Sequence, residues 1–238
     1  LIVTGVQTCA LPISSRFVVY PGTNKIFADD GTTETDVTGT APTGTATDKW
    51  TGDVFNGIGI LNNQVDIPQY WDGTIASNFA GFPTWGATWR TKSIRSYRDF
   101  IVCVNITKGA VRYPQMVKWS TAANPGSMPN SWDEADPTTD AGEFPLADTQ
   151  GELVDSLPLG GVNIIYKTDS YYSMQFIGGE AKFAFQLIDK NAGLLSQNCA
   201  VAFPGGHVCI GNGDIYTHNG GQSRSIVSQR DRDRKSVV

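Results

Sequence analysis

A chain of 238 residues with 18 Lys and Arg against 23 Asp and Glu carries a formal charge of −5, and 40% of it is hydrophobic. That length can bury a large single core, and the acidic balance argues against a protein that grips nucleic acid by counter-ion release. No apolar run approaches the roughly eighteen residues of a membrane-spanning helix.

At the start, Val3–Ile13 resembles the translation of a common short-read sequencing adapter, and Asp233–Val238 resembles the opposite-sense adapter read to a stop codon. Leu1–Ile13 makes a poor signal peptide: it has no initiator Met, no basic n-region and a broken apolar run. Segments 1–13 and 233–238 are therefore expected to be artefacts flanking an internal gene fragment, 14–232. Removing Asp233, Arg234 and Lys235 leaves 16 basic and 22 acidic residues, a net charge of −6.

One theme then repeats. Phe17–Tyr20, a turn at Pro21–Asn24 and Lys25–Ala28 read as a hairpin closed by Asp29-Asp30-Gly31. Thr38–Asp48, rich in Thr, Gly and Ala, reads as a loop. Ile58–Leu61, a turn at Asn62-Asn63 and Val65–Trp71 give a second hairpin, closed by Asp72-Gly73. Phe100–Val104, turning at Thr107-Lys108-Gly109 into Val111–Trp119, gives the third and clearest. Val162–Tyr166 with Tyr171–Phe176 gives a fourth, and His207–Ile210 with Asp214–Thr217 a fifth, closed by Asn219-Gly220.

The starts of these hairpins fall 41, 42, 62 and 45 residues apart. Periods near forty to fifty with short strands are the signature of propeller blades. The long interval holds Thr121–Pro145, crowded with Pro, Asn, Asp and Ser and without a strand pattern, which reads as an insertion of about twenty residues. The expected fold is all-β: a β-propeller-like array of about five diverged blades, incomplete at both ends. The alternative is a β-sandwich of seven or more strands.

Tyr97–Val104, Val117–Ser120, Pro129–Asp133, Val162–Tyr172 and Gly213–Gly220 together resemble a family of tailed-phage structural proteins, the β-propeller components of short tails such as the tail nozzle and the packaged-DNA stabilisation protein. The resemblance spans most of Arg16–Ser228 as a pattern of diverged blades, with no single diagnostic motif. It implies a virion protein that forms a homo-oligomeric ring with other tail proteins, made in the bacterial host cytoplasm, through which DNA passes. It offers no catalytic residues to carry over, and the residues themselves lead to the expectation of no cofactor and no metal. An acidic protein with scattered basic residues is compatible with a conduit that must not hold phosphates tightly.

The chemistry-bearing residues each have a structural and a functional reading. Arg90, Lys92, Arg95 and Arg98, four cations within nine residues, either solvate a blade edge or meet phosphate or an acidic neighbouring subunit. Trp71, Trp85, Trp89, Trp119 and Trp132 either pack between blades or stack on sugars, and Trp132, in the polar insertion, is the one expected at the surface. Asp133, Glu134, Asp136 and Asp140 lack EF-hand spacing and read as a solvated run, or else as carboxylates for glycoside chemistry or calcium.

His207 and His218 are the only histidines, and His207 with Cys209 on one strand face gives two potential ligands without a third, too few for a zinc site. Cys103, Cys199 and Cys209 make no disulfide framework. There is no P-loop, dinucleotide fingerprint or nucleophile elbow. Asn105-Ile106-Thr107 is a formal glycosylation sequon. Two functions follow: a non-enzymatic phage tail component, with Trp132, Asp133, Arg90, Lys92, Arg95 and Arg98 as partner or surface contacts, or a carbohydrate-binding or carbohydrate-active propeller, secreted or displayed.

Overall fold

The computed structural model describes residues 16–227 together with the backbone of Cys9–Ala10. The remaining parts of the adapter-like segments 1–13 and 233–238 lie outside the described residues. Among the described residues every regular element is a β-strand, and the strands form five four-stranded antiparallel sheets, each a meander in chain order. This is the blade unit of a propeller repeated five times, so the fold is all-β and propeller-like.

The first sheet comprises β1 (Cys9–Ala10), β2 (Arg16–Pro21), β3 (Ile26–Asp29) and β4 (Glu34–Asp36). The second holds β5 (Thr51–Phe55), β6 (Ile58–Asn62), β7 (Gln69–Trp71) and β8 (Ala80–Gly81). The third holds β9 (Trp89–Tyr97), β10 (Phe100–Lys108), β11 (Val111–Trp119) and β12 (Gly142–Pro145). These belong to one compact unit, residues 1–146. The second unit, 147–238, holds two sheets. One has β13 (Leu153–Leu159), β14 (Val162–Lys167), β15 (Tyr171–Phe176) and β16 (Phe183–Asp189). The other has β17 (Ala200–Phe203), β18 (Gly206–Ile210), β19 (Ile215–His218) and β20 (Arg224–Ser225).

The five expected hairpins are the middle pairs of these sheets: β2–β3, β6–β7, β10–β11, β14–β15 and β18–β19. In sheets two to five the first and second strands join through two residues, Asn56-Gly57, Arg98-Asp99, Gly160-Gly161 and Pro204-Gly205. Asn56 (φ 52) and Gly57 (φ 88) both lie in the left-handed region, as a twist-matched type I′ hairpin requires.

Each apolar core lies between successive sheets of a unit. Phe17, Ile26 and Ala28 of the first sheet meet Trp71 of the second. Phe55 and Ile60 of the second meet Ile94, Ile101, Cys103 and Ile106 of the third. In the other unit Val154, Ile164, Tyr166 and Tyr171 meet Ala200, Cys209 and Tyr216.

Insertion 121–145 differs from its expected strandless form at its end, where Gly142–Pro145 pairs with Trp119–Met116 as the fourth strand of its sheet. Ahead of that, the chain straps back over the turns of two sheets. Ala123 N–H donates to Asp99 O (2.9 Å), Asn56 Nδ2 donates to Ala123 O (2.9 Å), and Gly126 N–H donates to Asn56 O (2.9 Å).

Candidate anion-binding groove

Arg90, Lys92 and Arg112 line one open cleft of about 170 Å³, with Gln64, Thr91, Asn105 and Thr107. The antiparallel register brings them together: Thr107 on β10 lies opposite Arg90 on β9 and opposite Arg112 on β11. Between them the β10–β11 ladder shifts register around Asn105, which sits at φ 57. Asn tolerates that conformation better than most residues, and a bulge of this kind re-aims the side chains beside it.

Arg90 is fixed by its own backbone surroundings. Its Nε donates to Val65 O, and one terminal nitrogen donates to Ala87 O (3.1 Å) and Trp89 O (2.7 Å). Arg112 Nε donates to Asn105 Oδ1 at 3.1 Å. Two guanidiniums are therefore oriented before any ligand arrives, and the lining residues include no carboxylate. The cleft is smaller than the roughly 300–1,000 Å³ of drug-sized pockets, and suits a small oxyanion.

The other two members of the basic run are elsewhere. Arg95 is buried and donates to Gly52 O at 2.7 Å. Arg98 occupies the exposed two-residue turn at φ 53, its guanidinium 6.0 Å from the Tyr97 ring. Arg112 was not among the residues singled out in the sequence, because it lies on a different strand and only the hairpin pairing brings it beside Arg90.

Trp132 corrects the expectation of an exposed platform: only 1% of its surface is exposed. Its ring stacks on Phe82 (5.9 Å) and meets Trp85 edge-on (4.7 Å) in the core between the second and third sheets. The strap carries it there because a large indole gains far more by burial than by exposure. Asp133 remains exposed and accepts the Ala135 N–H at 2.9 Å, a local turn bond.

Glu134 is not merely solvated. It bridges Lys108 (2.5 Å) and Lys118 (2.5 Å), while Glu143 also bonds Lys108 (2.7 Å). The Trp89 ring lies 4.8 Å from both ammonium groups. Partial burial opposes ionisation of Glu134, yet the hydrogen bonds from Lys108 and Lys118 outweigh it and bring its pKa to about 2.

The two histidines form a closed network in the other unit. Tyr166 Oη lies 2.7 Å from His207 Nδ1 and 2.6 Å from His218 Nε2, with Cys209 Sγ donating to it at 3.4 Å. His207 Nε2 faces Pro158 O at 3.0 Å, so that nitrogen carries the proton and Nδ1 accepts from the tyrosine. Gly220 N–H donates to His218 Nδ1 (3.1 Å), so His218 Nε2 carries its proton and donates to Tyr166. Both rings are neutral and every ring nitrogen is used. Burial lowers both pKa values; His218, with His207 close by, falls to about 4. Among the described residues no cluster of three or more metal-ligating side chains occurs.

No family model matches the chain, and no curated protein matches it. Among solved structures it is similar to the N-terminal domain of Nup159, with a TM-score of 0.49 and 10% identity over 87% of this chain and 59% of that one. It is similar to an S. cerevisiae Dbp5 complex with Nup159 and Gle1 at 0.49 and 10%, over 87% and 58%. A BBS1N–ARL6DN complex gives 0.48 and 9%, over 94% and 66%. The chain spans less than two-thirds of the length of each of these structures.

Proposed function

We propose that this chain is a non-enzymatic structural component of a phage virion: a tail protein whose sheets contribute to a homo-oligomeric ring or nozzle through which DNA passes, in contact with other tail proteins. The observation that supports assembly is the fifth sheet. Its inner face packs Ala200, Cys209 and Tyr216 into the core, while Val201, Phe203, Val208, Ile210 and Ile215 on the same three strands are exposed at 63%, 44%, 36%, 46% and 38%. The central strands of the third and fourth sheets, β10 and β14, are buried at nearly every position. β18 is buried at Gly206, His207 and Cys209 but leaves Val208 and Ile210 exposed, as expected of a strand whose outer face is covered by a neighbouring copy once assembled.

The groups that suggested other chemistry are committed to structure in a way that favours this reading. The carbohydrate alternative leans on Trp132, whose ring is packed inside, and the His–Tyr–His network is saturated with hydrogen bonds. Immunogold electron microscopy tests the proposal, with antibodies to residues 14–232 applied to virus-sized particles from the source material. Gold at the tails of short-tailed particles supports it. Gold only in the soluble fraction refutes it, and binding on a glycan array then restores the carbohydrate alternative.

A further inference from the structure

We propose that the groove between Arg90, Lys92 and Arg112 is a phosphate-binding site. This deepens the tail reading by naming the chemical group with which the protein meets its nucleic acid, and rests on that reading only for the source of the phosphate.

Three features point to an oxyanion. Three cationic side chains from two strands converge on one cleft lined also by Gln64, Thr91, Asn105 and Thr107. Arg90 is clipped by three carbonyls through Nε and one terminal nitrogen, which leaves its second terminal nitrogen outside the clip. A guanidinium held this way loses little side-chain freedom on binding, and its planar fork matches phosphate geometry.

The carboxylate that competes for Arg90 is Asp66, which senses its charge. Asp66 is engaged elsewhere, by Thr43 N–H (2.8 Å), Thr43 Oγ1 (2.5 Å) and Asn63 Nδ2 (2.6 Å), and does not line the cleft. The size of the cleft and its openness to solvent suit one phosphate of a chain running past. With only three cations in an acidic protein, binding is weak and steeply salt-dependent, compatible with a strand that must slide.

The full chain is titrated with a short labelled DNA duplex by fluorescence anisotropy at low and physiological ionic strength, and separately with inorganic phosphate. Lys92→Ala and Arg112→Ala are each expected to weaken duplex binding about ten-fold and to flatten the slope of log K against log salt by about 0.9 per lost contact. Arg98→Ala, a cation outside the groove, is expected to bind as the parent does.

Inorganic phosphate that binds alone and displaces the duplex identifies the site as one for phosphate from any source, whereas duplex binding without it assigns the backbone as the source. Absence of binding to either ligand at low salt overturns the proposal. So does an Arg98→Ala loss equal to that of Arg112→Ala, which reduces the effect to general charge. Preference for an acidic peptide over both phosphate ligands overturns it too. Lys92 is half-buried and Arg112 exposed, and unchanged melting temperatures of the variants confirm that folding is intact. Should the immunogold result fail while the groove binds phosphate, the tail reading falls and the site stands.

Discussion

Acidification should weaken the unit built from residues 147–238 through its histidines, in a window above that of the depressed carboxylates. His218 has a pKa of about 4 in the folded chain against 6.5 when free. His207 is lowered in the same direction. A base whose folded pKa is depressed favours folding above its unfolded value, and that stability is lost as the pH falls toward the folded value. For His218 alone the full shift is worth about 3 kcal/mol, of which about 2 kcal/mol is gone by pH 5.

The groups around His218 define what a proton there would meet. Tyr166 and Gly220 hydrogen-bond it, Tyr171 stacks on it at 4.5 Å, and Tyr216 and His207 complete the ring cluster. Among the described residues Asp189 is the carboxylate whose charge favours the protonated ring, and burial outweighs it. Carboxylates with depressed values, such as Glu134 at about 2, release their contribution only below about 4.5 and leave the interval from pH 6.5 to 5 to the imidazoles. Urea unfolding followed by tyrosine and tryptophan fluorescence from pH 8 to pH 5 reads the loss directly. A midpoint that stays level across that interval refutes the neutral, doubly bonded imidazoles.

Tyr166→Phe removes the hydroxyl shared by His207, His218 and Cys209, and is expected to destabilise by about 2–4 kcal/mol at neutral pH because buried partners lose their bond; urea titration measures it. Trp132→Ala opens a cavity between the second and third sheets and should cost about 3–5 kcal/mol, while a surface role would leave the unfolding midpoint unmoved. Lys118→Ala leaves Glu134 and Glu143 facing Lys108 alone. Discounted for the partial exposure of both carboxylates, a loss of about 2 kcal/mol is expected by chemical denaturation, with high salt reducing the difference.

The middle hairpins were legible because both of their strands carry dense β-branched and aromatic residues, as in Phe100–Val104 and Val162–Tyr166, bounded by Gly-containing or polar turns. The outer strands were not. β9 reads Trp-Arg-Thr-Lys-Ser-Ile-Arg-Ser-Tyr, a polar sequence whose strand character comes from pairing with β10 along its whole length. β8 and β20 are two exposed residues each, held by their neighbours in the ladder. The groove was half-visible as Arg90 and Lys92; its third cation depends on the β10–β11 register, which shifts at Asn105 and has no signature in composition. Trp132 misled because a polar, proline-rich context hides the fact that the strap folds back onto open core. The histidines show the reverse, since their pairing through Tyr166 needs a strand from another sheet.

The strap also makes the molecule optically self-reporting. Trp132 and Trp85 lie 4.7 Å apart at 88°, and Trp89 joins Trp85 at 5.7 Å and 81°. Indoles this close couple electronically, and their fixed, asymmetric arrangement in the core makes that coupling chiral. Near-ultraviolet circular dichroism therefore reports whether residues 121–141 are seated without any label, and it would register the strap lifting before the strands beneath it separate.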